Sequence, residues 1–316
     1  MMRPLRRFFD DLTSTSIAGV DLGSSVLKVV ELSRSENGVA LRRCSVLEVE
    51  GNDSVEMLKG LLSAGEVSTR KVAMGVASPE LVVRPFQFPP MPQKELGAAV
   101  RLEAEQSILD GHAIGDMAVD WHLVPSDSKE FVRGLCAVIP KKVLATRLEM
   151  AKSAGLHPVV VDVEGLALWN AYWVLAGKRG PAAHAVLLLN VGARTTNLVI
   201  AKGASELVFM RDFRLGAQAL ANGQEKEWVT EVRDSLRYAR SKAGSCELGT
   251  AYVTGGGSGR VNLAELSRAI GLEAKLWNPL QSLNRQKGSP PVDDAQGPLL
   301  TIAIGLALRS SNGKAH

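Results

Sequence analysis

No apolar run in the chain is long enough to cross a bilayer, so a transmembrane helix is not expected. The N-terminal stretch is broken by charges and is followed by no small-residue cleavage site, which argues against a secretory leader and for a cytoplasmic protein. Cysteine is scarce. Cys44, Cys136 and Cys246 are odd in number, far apart and in no CxxC pair, which excludes a disulfide framework and a zinc module and suits free thiols in a reducing compartment. The five histidines (His112, His122, His157, His184 and His316) show no metal-ligand spacing. Charge of one sign is also lacking. Lys and Arg number 37 against 33 Asp and Glu, a net +4 without a basic run, so nucleic acid is not an expected partner. There is no GxxxxGK[ST] loop, and in the stretch from Gly255 Arg260 replaces the glycine that either GxGxxG or GxSxG would need.

What is present is a globular composition, 46% hydrophobic and 22% charged, over 316 residues, enough for two domains with their own cores. Residues 1–15 form a segment of their own. Leu5, Phe8, Phe9 and Leu12 lie at helical spacing among Arg3, Arg6 and Arg7, a pattern that suits either a basic membrane-surface helix or a terminal helix packed on protein. Residues 16–180 read as a first α/β half. It opens with three strands, with Asn37-Gly38 as turn chemistry, then a helix over 54–64 with Ser54 as N-cap and a strand over 71–77. A proline-punctuated passage at 85–92 precedes an amphipathic helix over 93–109, paired strands over 119–124 and 131–139 joined by a polar turn at 126–129, and a helix over 143–154 stopped by Gly155. This β-α-β-β-α unit, about 82–156, reads as a subdomain inserted into the first half. The second half, 181–309, has strands over 185–189, 197–201 and 206–213, a helix over 227–242, a strand over 251–254, a helix over 263–270, a loop over 284–298 and a closing helix over 299–308; 310–316 is a tail.

The main clue is an internal repeat. Asp21-Leu22-Gly23-Ser24-Ser25 and Asn190-Val191-Gly192-Ala193-Arg194-Thr195-Thr196 each follow an apolar strand, turn at a glycine and run into a second strand, about half a chain apart. Such turns suit phosphate. Glycine lets the backbone come close to a ligand, successive N–H groups converge on anionic oxygens, and Ser24, Ser25, Thr195 and Thr196 add hydroxyls. The Asp21 carboxylate suits a magnesium ion held through water. A third element, Gly255-Gly256-Gly257, lies between a strand and a helix, where a helix N-terminus can meet a phosphate or sugar; alone, it is equally a tight connection.

With these elements in place the sequence resembles the actin-like ATPase superfamily, and within it the PilM family of type IV pilus assembly proteins, relatives of the cell-division protein FtsA. The resemblance rests on IAGVDLGSSVLKVVELSR, RLEAEQSI on the inserted helix, LLLNVGARTTNLVI, MRDFRLGAQAL, YVTGGG and IAIGLALR. It implies a duplicated, ribonuclease H-like α/β fold. Its ATP site would comprise Asp21, Gly23, Ser24 and Ser25, then Gly192, Thr195 and Thr196, then Gly255, Gly256 and Gly257, with magnesium at Asp21. It further implies a scaffold at the inner membrane that captures the cytosolic tail of a PilN-like protein in a groove near 82–88 and 93–109, with oligomerisation left open.

Two departures from the family pattern bear on activity. Asn190 stands where the second loop usually begins with aspartate; a neutral amide adds no charge to a magnesium–water network, which weakens hydrolysis more than binding. Only 217–226 separates Leu215-Gly216 from the next helix, so the helical subdomain that walls the nucleotide in relatives is mostly lacking. Efficient catalysis is therefore not expected. Two other readings stay open at this point: a working ATPase or small-molecule kinase, and an FtsA-like membrane-tethered filament.

Overall fold

The computed structural model describes residues 17–311 apart from 36–37, 50–52, 107, 109–112, 125–128, 177–183, 205, 244–246, 287–288 and 290. The basic stripe at 1–15, most of the turn at 126–129, Cys246, His112 and the last five residues lie outside that set.

Strands β1 (Ala18–Leu22), β2 (Val26–Ser35) and β3 (Gly38–Glu48) form an antiparallel meander, and α1 (Ser54–Ser63) follows. The cap of α1 is Asp53 rather than Ser54: its Oδ1 accepts from the Val55 N–H at 2.9 Å, which makes Ser54 the first residue of the helix instead of its cap. Strand β4 (Lys71–Val76) joins β1 in parallel. The proline-punctuated passage overlaps a strand, β5 (Val82–Phe88), followed by α2 (Gln93–Gln106), β6 (Met117–Leu123) and β7 (Val132–Pro140). These strands make a separate sheet in the order β5-β7-β6, and β5 tolerates Pro85 because it is an edge. Helix α3 (Lys141–Ser153) returns the chain to the first sheet through β8 (His157–Val163), which pairs with β4; α4 (Glu164–Leu175) follows.

The second sheet repeats the first. Strands β9 (Ala185–Val191), β10 (Thr196–Lys202) and β11 (Glu206–Phe213) form an antiparallel meander. After α5 (Ala217–Ala221) and α6 (Glu225–Ala243), β12 (Leu248–Thr254) joins β9 in parallel. Helix α7 (Leu263–Ile270) is capped by Asn262 and stopped by Gly271 at φ 70°, and β13 (Glu273–Leu276) then extends the sheet. The order β11-β10-β9-β12-β13 matches β3-β2-β1-β4-β8 strand for strand and in pairing sense. The sequence gives little signal for β13, because Glu-Ala-Lys-Leu is only four residues long and has no β-branched or aromatic side chain. The stretch read as a loop over 284–298 contains β14 (Asn284–Arg285), which pairs with β3 and so carries the chain back onto the first sheet.

Each half has a buried cluster of its own, and a further cluster crosses between the halves. This shared cluster runs from Val30 and Leu41 in the first sheet through Trp169 and Leu188 to Leu300 and Ile304. Its centre is α4 packed on α8 (Thr301–Ala307), between the two main sheets. Every residue of α8 is buried, and α4 is apolar all round, as a helix covered on every side should be. Glycine permits this proximity: a Cβ on Gly305 would run into the Ala167 carbonyl, and one on Gly19 into the backbone of Ala303 and Ala307. Arg309 closes the end of this layer by bonding Asp162 at 2.6 Å, both largely buried.

Gly305→Ala should cost about 1–3 kcal/mol by overpacking, although alanine is the better helix former. Gly97→Ala in α2, where a Cβ meets nothing within 4 Å, should instead stabilise by roughly 0.5–1 kcal/mol. Urea unfolding of the two variants checks the opposite signs.

Candidate functional site

The two glycine turns sit at the same position in their sheets, and each is closed by a cross-strand polar pair. In the first, the register of β1 with β2 places Asp21 opposite Lys28. Lys28 Nζ lies 2.7 Å from Asp21 Oδ2, and both side chains are nearly buried. Gly23 is required there, because a Cβ would lie 2.6 Å from the Val26 carbonyl oxygen and 2.9 Å from Lys28 Nζ. In the second, the register of β9 with β10 places Asn190 opposite Asn197. Asn190 Nδ2 donates to Asn197 Oδ1 at 2.7 Å, and Asn197 Nδ2 donates to Asp212 Oδ1 at 2.8 Å. The other oxygen, Asp212 Oδ2, accepts from the Ser78 N–H at 3.2 Å. An ion pair in one hairpin thus has an amide pair as its counterpart in the other.

The third glycine element is stacked on the second turn. The Gly257 N–H donates to the Val191 carbonyl at 2.8 Å. Gly255 has φ 94°, and a Cβ on it would sit 2.5 Å from the Val191 carbonyl oxygen and 2.6 Å from Asn190 Oδ1. These glycines therefore serve first to join two turns closely. Between them and the first turn lies a cavity of about 910 Å³, lined by Asp21, Gly23, Ser24, Ser25, Gly192, Thr195, Gly255, Gly256 and Gly257. Its size suits a small-molecule ligand. Of the residues singled out by sequence, Thr196 is not in the wall. Its hydroxyl is buried, donating to the Leu215 carbonyl at 2.6 Å and accepting from Trp228 Nε1 at 2.9 Å, so it ties the second turn to α6.

Residues that sequence reasoning did not single out complete the wall. Lys28 was legible as a charge set among the apolar residues that open β2, seven residues after Asp21. Glu164, at the junction of β8 and α4, and Arg147 on α3 carried no local signal; only the fold brings them to the cavity. Arg147 Nη1 donates to the Leu22 carbonyl at 3.0 Å, beside the first glycine turn. The far end is closed by Leu276 at the end of β13 and by Asn278, Gln281 and Leu299 from the segment after it.

Burial dominates the electrostatics. It pushes the Glu164 carboxyl up to about 8, helped by repulsion from Asp21 and Asp212 and opposed by Arg147 and Lys28. Asp212 is raised to about 6 by burial, against the stabilising bonds from Asn197 and Ser78. The donors fit a phosphate-bearing ligand: turns with hydroxyls, a lysine fixed by its own carboxylate, and arginines. For a divalent cation they offer little. Asp21 already holds Lys28, and among the described residues no three His, Cys, Asp or Glu side chains cluster as a ligand set.

The paired sheets, the interposed helices and the cleft between two glycine turns define an α/β actin-like fold. In comparisons with solved structures, a chain of a "PilM-PilN type IV pilus biogenesis complex" aligns over 94% of this chain and 98% of its own, with TM-score 0.79 and 24% identity. A Bacteroides thetaiotaomicron protein described as having an actin-like ATPase fold and unknown function aligns over 87% of this chain and 96% of its own, with TM-score 0.50 and 11% identity. The family model of the type IV pilus assembly protein PilM matches residues 19–227, more than half of the sequence, and the chain belongs to that family.

A raised carboxyl makes stability depend on pH. With its folded value at about 8 against an ordinary 4.5, Glu164 contributes stability that is complete below pH 4.5 and lost as pH rises through 8. Glu164→Gln should therefore equal the parent chain near pH 4 and exceed it by roughly 1–3 kcal/mol at pH 9, as read by chemical unfolding at both pH values.

Proposed function

We propose that this chain is a cytoplasmic scaffold of type IV pilus assembly that holds the cytosolic tail of a PilN-like inner-membrane protein and carries a nucleotide in its cleft as a modulator. Family membership supports the assembly role. The structurally similar chain comes from a PilM-PilN complex, which supports the choice of partner. No helix among the described residues is long and apolar enough to cross a membrane, so attachment to the membrane is proposed to run through the partner.

The observation that carries the nucleotide part is the cavity between the turns, with Lys28 held in its wall by Asp21. Binding is favoured over turnover, because the second turn presents the neutral Asn190 and Asp21 is already engaged by Lys28. A second reading, slow hydrolysis in the same cleft, is favoured by Glu164, a carboxyl whose raised affinity for protons suits proton transfer.

ATP should raise the thermal midpoint by a few degrees, since a ligand bound only by the folded state stabilises it. Lys28→Ala should abolish the shift, as followed by scanning calorimetry. A cytosolic tail peptide of a PilN-like inner-membrane protein should bind the full chain in titration calorimetry, and failure of every such tail would remove the scaffold reading. Phosphate release that is absent in the parent chain as well as in Glu164→Gln would remove the second one.

A further inference from the structure

Six charged residues line the cavity: Asp21, Lys28, Arg147, Glu164, Arg194 and Asp294. Four of them are accounted for. Asp21 and Lys28 neutralise each other at 2.7 Å, Asp294 accepts from Arg285 at 2.6 Å, and the buried Glu164 carboxyl is held toward its neutral form. The two arginines remain. Arg147 uses one donor of its guanidinium on the Leu22 carbonyl and makes no ion pair among the described residues. Arg194 is exposed in the second turn and makes no side-chain hydrogen bond or ion pair among the described residues. A guanidinium has five donors in a planar fork that matches two phosphate oxygens, and it does not lose its charge. Arg147 comes from α3 and the first sheet, whereas Arg194 comes from the turn between β9 and β10 in the second.

We propose that Arg147 and Arg194 are phosphate-binding residues that close on the polyphosphate of a nucleotide from opposite sides of the cleft. The inference rests on the nucleotide reading above and adds to it the source of positive charge. The pair supplies two positive charges where, of the three carboxyls in the wall, two are already paired and the third is held toward its neutral form. Arg194 stands 169 residues after Ser25, the same offset that relates Gly192 to Gly23, so the second turn replaces a neutral hydroxyl with a cation. Arg147 is anchored to the carbonyl just before the first turn, which holds its guanidinium in the cavity wall beside that turn.

The test measures affinities of the full-length chain for ATP, ADP, AMP and inorganic tripolyphosphate by competition with a fluorescent ATP analogue. Arg147→Gln and Arg194→Gln should each weaken ATP about tenfold or more, as expected for loss of a charge-assisted bond. ADP should weaken less and AMP least. Tripolyphosphate that competes in the parent chain and fails in both variants would show that the arginines read phosphate alone. Unchanged ATP affinity in both variants, with loss in Lys28→Ala, would overturn the clamp and leave the nucleotide reading standing. Equal losses for ATP and AMP would also overturn it, by showing general damage to the cleft. A parent chain that binds none of the four ligands would overturn both.

Discussion

Two hairpins in this protein must bury polar side chains at their glycine turns, and the rest of the site follows from how each satisfies them. An ionised side chain removed from water needs an opposite charge or a full set of donors. The first hairpin supplies the charge, pairing Asp21 with Lys28. The second supplies a relay: Asp212, anchored by the Ser78 N–H, orients Asn197, which in turn orients Asn190. The relay has a direction. With the Asn197 amide group donating to Asp212, its oxygen is left for Asn190, so position 190 must donate. An aspartate cannot donate unless protonated. The neutral residue at the head of the second turn is therefore matched to a charge held two links deeper.

This pairing scheme explains why the duplication survives in geometry more clearly than in sequence. Positions 21 and 28 correspond to 190 and 197 at the same offset of 169 residues, and both pairs lie directly across their strands. Yet Asp–Lys and Asn–Asn have little in common as residue types. What is kept is a cross-strand polar contact at a glycine turn, at 2.7 Å in both halves. The same scheme concentrates charge on one wall of the cleft and leaves the arginines to face the space between.

Much of this was legible in the chain. The glycine turns after apolar strands, the strands of both meanders and the stop at Gly271 follow from local chemistry. What was not legible depends on distance. Thr196 has the right residue type and spacing for a ligand contact, but Trp228, 32 residues away, takes its hydroxyl into the core. Arg147 and Glu164 lie on an ordinary helix face and at a helix start, and only the return of the chain through β8 brings them to the first turn. The buried cluster shared by both halves was not legible for a related reason. Periodicity shows which face of α8 is apolar, and here all of it is, but it does not say which sheets will cover it.

The burial of α8 has a consequence for how the molecule is made. Its residues, 301–307, pack against β1, β2 and β4, strands finished by residue 76. A ribosome adds roughly 5–20 residues per second, so the first sheet waits for its covering helix while more than two hundred residues are added. During that interval an apolar face with Gly19 at its centre stands open to chaperones and to other nascent chains. Completion of the native state is thus tied to the synthesis of α8 rather than to the completion of either sheet.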